Sequence, residues 1–81
     1  MKVQVLGTGC AKCKALTANV LEAARQSGLP VEVEKVEDVR EIVKFRVLST
    51  PALAIDGAVK SSGKVLAAAD VLALLRQHAA R

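Results

Sequence analysis

Aromatic residues are almost missing from this chain: Phe45 is the only one, with no tryptophan and no tyrosine. The core must therefore come from alanine, valine, leucine and isoleucine, and Phe45 is expected to pack within it. The same scarcity argues against binding single-stranded nucleic acid, which stacks bases on aromatic platforms beside basic groups. Positive charge does not supply the missing signal. The formal net charge is +4, but 12 Lys and Arg are interleaved with 8 Asp and Glu and form no run. They read as a solvated surface.

Long apolar runs are missing too. Nothing approaches the roughly 20 residues that span a bilayer, and the run at 3–6 is far too short for the apolar segment of a targeting peptide. With one histidine and two cysteines, the chain cannot assemble a usual four-ligand zinc site or a spread disulfide framework. A lone CxxC pair fits a reducing compartment, so a soluble, cytoplasmic protein without nucleic-acid or membrane partners is expected. No linker, low-complexity tract or internal repeat interrupts the 81 residues, which suit one compact domain over 1–81.

What is present follows a legible order. Lys2 to Leu6 reads as a strand, with Val3 and Val5 on one side and Gln4 and Leu6 on the other. Gly7 and Gly9 end it and permit a sharp turn. From about Ala11 to Ser27 the period becomes helical: Leu16, Val20 and Ala23 recur on one stripe, and Gly28 with Pro30 marks the stop. Val31 to Val36 alternates valines with glutamates, the pattern of an edge strand. Asp38 can cap a short second helix with Val39, Ile42 and Val43 inward and Arg40, Glu41 and Lys44 outward.

Pro51 to Ile55 is an apolar run of strand length. Asp56-Gly57 is a two-residue hairpin signal, and Ala58 to Ser61 can return as the antiparallel partner. Gly63 breaks that strand. A last helix is expected from about Ala67 to His78, uncapped at its start, with Ala68, Val71, Leu72 and Leu75 inward and His78 interacting with the helix dipole. The fold class is thus α/β, in the order β-α-β-α-β-β-α, with four strands and helices on both faces.

The chemistry concentrates at Gly7-Thr8-Gly9-Cys10-Ala11-Lys12-Cys13-Lys14. A disulfide across CxxC closes too small a loop to add much chain-entropy stability, so reactivity or metal binding explains the pair better. Cys10 falls at the helix start and Cys13 in the first turn, where unpaired N–H groups and the positive end of the helix dipole favour a thiolate. Lys12 and Lys14 add positive charge, and Lys12 is the candidate for tuning the thiolate against the plain reading of an exposed, solubilising lysine. Cys10 is therefore expected to attack a disulfide and Cys13, more buried, to resolve the mixed disulfide. Pro51 opens an apolar strand. A trans bond is the ordinary case there, whereas a cis bond would leave Thr50 backbone groups free to pair with an extended substrate.

Three stretches carry a family resemblance: Val3 to Cys13 (VQVLGTGCAKC), Phe45 to Gly57 (FRVLSTPALAIDG) and Ser62 to Val65 (SGKV). With the element order, they resemble the thioredoxin superfamily. More narrowly, the chain is similar to the small glutaredoxin-like proteins of bacteria and archaea, often called redox-active disulfide proteins. The resemblance implies a thioredoxin-like four-stranded mixed sheet of order 2-1-3-4 and a cis Thr50-Pro51 bond. It also implies thiol–disulfide exchange by Cys10 and Cys13, with Thr50 and Pro51 contacting substrate.

Some family features are replaced. Ala11-Lys12 stands where thioredoxin has Gly-Pro and glutaredoxin has Pro-Tyr. The first strand lacks the acid that serves thioredoxins as a buried proton acceptor, and Ser62-Gly63 replaces the double glycine that helps glutaredoxins hold glutathione.

A glycine-led CxxC before a helix also marks small copper chaperones, whose two thiolates bind Cu(I). Those domains follow β-α-β-β-α-β and carry methionine two residues before the first cysteine, where this chain has Thr8. The expected function is thus a thiol–disulfide oxidoreductase of protein or small-molecule disulfides, recycled by a reductase or by glutathione, with no cofactor and no metal. Soft-metal binding by the same thiolates is the alternative. A redox carrier dedicated to one partner would use the same dithiol.

Overall fold

Strand β1, Lys2–Leu6, lies inside a four-stranded sheet in the computed structural model, which describes residues 1–80. It pairs in parallel with β2, Glu32–Val36, and antiparallel with β3, Ala52–Ile55. Strand β4, Ala58–Ser62, pairs antiparallel with β3, so the spatial order is β2-β1-β3-β4. Three helices complete the chain: α1 over Ala11–Ser27, α2 over Val39–Lys44 and α3 over Ala68–Ala79. This is the mixed 2-1-3-4 sheet of a thioredoxin-like α/β fold.

The two-residue period of the strands divides the core between the sheet's faces. Val3 and Val5 of β1 and Leu53 and Ile55 of β3 pack with Leu16, Val20 and Ala23 of α1 and with Val71 and Leu75 of α3. The opposite face holds Leu6, Val36 and Ala52 under Ile42 of α2, with Phe45 and Val47 against them. Full burial of an aliphatic side chain of this size contributes about 1.5–3 kcal/mol. The α1/α3 face, with more such residues, is the main source of stability.

Local signals set the element ends. Gly28 closes α1 in the left-handed conformation at φ 69°. Asp38 caps α2 by accepting the Arg40 N–H at 2.9 Å. The Asp56-Gly57 turn has positive φ at both positions, 48° and 87°, as the hairpin signal required. A bulge between Leu53 and Ala54 in the pairing with β4 leaves Lys60 outside the register. No side chain caps α3, as expected.

Two sequence expectations are corrected. Only Ile42 of α2 turns inward; Val39 and Val43 are 60% and 65% exposed. A helix of six residues over a small cluster has room to bury one residue per turn, and Phe45 and Val47 fill the rest from the following loop. His78 does more than sit near a helix end. Its Nε2 pairs with Asp56 at 2.8 Å, while Asp56 also accepts the Lys2 N–H at 2.7 Å, tying α3 and the hairpin turn to the start of β1.

Two stability predictions follow from this packing. Ile42→Ala should cost about 2 kcal/mol or more in urea unfolding, because it empties a buried site. Val43→Ala should stay within about 0.5 kcal/mol of wild type. The Asp56 carboxyl is held below its ordinary value, first by the Lys2 N–H and then by His78. A carboxyl lowered on folding stabilises above its unfolded value, and that contribution is lost as pH falls through the folded one. Asp56→Asn should therefore flatten the loss of stability measured below about pH 4.

Candidate active site

The segment between β1 and α1 brings both thiols to the end of the sheet. Gly9 has φ 87°, a conformation that favours glycine, and Cys10 then adopts extended backbone as the N-cap of α1. Cys10 is exposed and Cys13 is buried, with 5% of its surface accessible. Their sulfurs are 2.9 Å apart, and Cys10 Sγ also accepts the Cys13 backbone N–H at 3.4 Å. An N-cap position usually held by Ser, Thr, Asp or Asn is thus held by a sulfur.

The two thiols are shifted in opposite directions. The Cys10 thiol is lowered, chiefly by the hydrogen bond from Cys13 and next by the Cys13 backbone N–H. Cys13 is raised, first by burial and then by serving the Cys10 sulfur. Of the two, Cys10 therefore gives up its proton first and Cys13 keeps its own longer. What acts on Cys10 from Lys12 is the backbone N–H.

Gly7 has a role the sequence did not disclose. It reads as a turn residue, yet it is buried, and its N–H donates to Val36 O at 3.0 Å, extending the β1–β2 ladder. A Cβ at Gly7 would collide with Cys13 Sγ and lie 3.9 Å from Pro51 Cα. Gly7 therefore fills the narrow space between the buried thiol and the proline. The signal available in sequence was only a glycine at the end of the first apolar run, three residues before Cys10.

The Thr50-Pro51 bond is cis. Pro51 is fully buried, Thr50 is exposed, and Pro51 O accepts the Gly63 N–H at 2.9 Å. A Cβ at Gly63 would meet Ser49 Cβ at 3.0 Å, so Ser62-Gly63 lies against the Ser49-Thr50-Pro51 segment. The structure thus gathers Cys10, Cys13 and Pro51 at one end of the sheet. On the α1 side of the site is a cavity of about 50 Å³, lined by Val5, Gly9, Cys13, Lys14, Thr17, Lys35 and Glu37 among others. Lys35 and Glu37 were not singled out from sequence. A signal existed: Lys35 is in phase with Val31 and Val33, on the inward side of β2. Among the described residues no group of three or more His, Cys, Asp or Glu could hold a metal, and no helix is long and apolar enough to cross a membrane.

Sheet order, a dithiol at a helix start and a cis proline behind it define the thioredoxin class of fold. Comparison with known proteins agrees: the family described as Thioredoxin domain matches residues 1–76. A thioredoxin of Methanothermobacter thermautotrophicus is 36% identical over 75 residues, covering 93% of this chain and 97% of that protein. A thioredoxin of Methanocaldococcus jannaschii is 33% identical over 76 residues, covering 94% of this chain and 87% of that one. The chain belongs to the thioredoxin superfamily and is a thioredoxin-like redox protein.

The gap at Gly7 can be tested. Gly7→Ala should destabilise the protein by about 1–3 kcal/mol through overpacking. By displacing the Cys13 sulfur it should also move the Cys10 thiolate titration, followed by ultraviolet absorbance, back up towards an ordinary thiol.

Proposed function

We propose that this protein is a thiol–disulfide oxidoreductase in which Cys10 attacks and Cys13 resolves. The observation that carries the reading is the asymmetry of the dithiol: an exposed sulfur lowered at a helix N-cap, 2.9 Å from a buried sulfur that is raised. The exposed thiolate attacks one sulfur of a substrate disulfide. A bond forms between Cys10 and that sulfur, and the other substrate sulfur leaves as a thiolate. Cys13, once deprotonated, attacks Cys10 Sγ, closing the Cys10–Cys13 disulfide and expelling the second substrate thiolate. Two electrons pass from the dithiol to the substrate.

Thr50, exposed and adjacent to buried Pro51, offers backbone groups for an extended substrate segment, and Pro51 gives that segment an apolar wall. Lys12, exposed in the first turn of α1, adds positive charge on the surface around the attacking sulfur. The substrate is a disulfide-bearing protein or a small disulfide, and a reductase or glutathione returns the oxidised pair to the dithiol. A reducing compartment such as the cytoplasm suits this cycle. Residues 1–81 act as one domain, and no cofactor is required.

Alkylation by iodoacetamide against pH tests the assignment. Cys10 should react first, with a midpoint below that of an ordinary thiol, while Cys13 stays protected; prior labelling of Cys13 would sink the assignment. Cys13→Ser should accumulate mixed disulfides through Cys10, detectable by mass spectrometry. Cys13→Ala should raise the Cys10 midpoint, because it removes the chief cause of its lowering.

A further inference from the structure

A larger groove lies between edge strand β4 and helix α3, and among the described residues it shares no lining with the cavity beside Cys13. Its volume is about 380 Å³, in the range of small-molecule sites. Lys60 and Ser61 line it from β4, Lys64 and Leu66 from the following segment, and Asp70 and Leu74 from α3.

The bulge in β4 is what sets Lys60 and Ser61 side by side. Successive residues of a regular strand point to opposite faces. Ser61 is in register with Leu53 of the α1/α3 core, so it faces α3. Lys60, the extra residue of the bulge, lines the same groove instead of the opposite face. A lysine on an edge strand commonly blocks pairing with other chains. That purpose calls for an exposed side chain, whereas Lys60 is half-buried.

The lining suits an anion carried on an apolar body. Among the described residues, Lys60, Lys64 and Asp70 take part in no ion pair. Two ammonium groups thus face one carboxylate, and the groove is positive on balance. Ser61 Oγ is buried and has no hydrogen-bond partner among the described residues. Leaving a buried hydroxyl unpaired is costly, and a ligand oxygen relieves that cost. Leu66 and Leu74 pack against the α1/α3 core and supply the apolar part of the lining.

We propose that this groove binds a phosphate ester of an apolar molecule, with Lys60 and Lys64 as its cationic pair and the Ser61 hydroxyl donating to a phosphate oxygen. Phosphate suits the lining better than carboxylate. Its dianion matches two cations, and its tetrahedral oxygens accept hydrogen bonds from several directions. Asp70 repels the head group, so the phosphate lies with the lysines and the apolar body with Leu66 and Leu74.

Amide NMR titration of the isotope-labelled, reduced protein with naphthyl phosphate tests the site. Saturable shifts are expected on residues 60–66 and 70–74, with a Kd below about 1 mM at low salt. Neutral naphthylmethanol and inorganic phosphate should each bind at least about tenfold more weakly, since each supplies only half of the match. Lys60→Gln and Lys64→Gln should each weaken naphthyl phosphate about fivefold or more, and Ser61→Ala about threefold or more. Asp70→Asn should tighten binding about twofold by removing a like charge. Lys12→Gln lowers the net charge equally but lies outside the groove, and should change binding less than about twofold. The amide spectrum of each variant also reports that it is folded.

Binding of naphthylmethanol as tight as that of naphthyl phosphate would reduce the groove to an apolar crevice and overturn the proposal. Equal weakening by Lys12→Gln and Lys60→Gln would do the same, because net charge alone would then explain the binding. Shifts confined to residues around Cys10, or no saturation by about 10 mM, would overturn the site itself. Tighter binding of naphthoate than of naphthyl phosphate would overturn the choice of phosphate.

Discussion

The close approach at Gly7 is the constraint on which the site depends. Its N–H continues the ladder to Val36, its missing side chain admits Cys13 Sγ, and Pro51 lies on its other side. Strands β1, β2 and β3 therefore converge on the first turn of α1 through one buried residue without a side chain. A single methyl group there would push the thiol away from the position where it can serve Cys10. The lowering of the exposed thiol is thus traceable to a packing fact in the sheet.

From that point the asymmetry of the two thiols follows. Cys10 occupies a cap position, where the free N–H groups of a helix start favour negative charge. Cys13, one turn on, faces the sheet and is desolvated. Identical functional groups separated by two residues are therefore shifted in opposite directions from an ordinary thiol. The α1/α3 core holds this geometry rigidly, because α1 is anchored along its length by Leu16, Val20 and Ala23. Asn19 adds a tie by donating to Leu66 O at 2.8 Å, ahead of α3.

Much of this was legible in the residues. The strand and helix periods, the Asp38 cap, the Gly28 stop and the Asp56-Gly57 turn are local features, and each reappears where its signal lay. The sheet order and the cis bond at Thr50-Pro51 agree with what the family resemblance implied. Misreadings came where one periodic pattern had to decide between neighbours it cannot see. Val39 and Val43 fit an inward stripe, yet the ground beneath α2 is already covered by Phe45 and Val47. Leu48, in the loop after α2, is 99% exposed, which an apolar residue in a loop does not announce.

The elements, the two thiols and the end of the helix on which they sit could be read from local residues, because propensity, capping and turn chemistry act over a few positions. What Gly7 makes room for, and that His78 meets Asp56, emerged only from the folded arrangement. It alone also brought Lys35 and Glu37 to the cavity beside Cys13. Those relations join residues 22 to 44 positions apart through strand pairing and packing, or turn on a contact of a single atom. No local pattern encodes either.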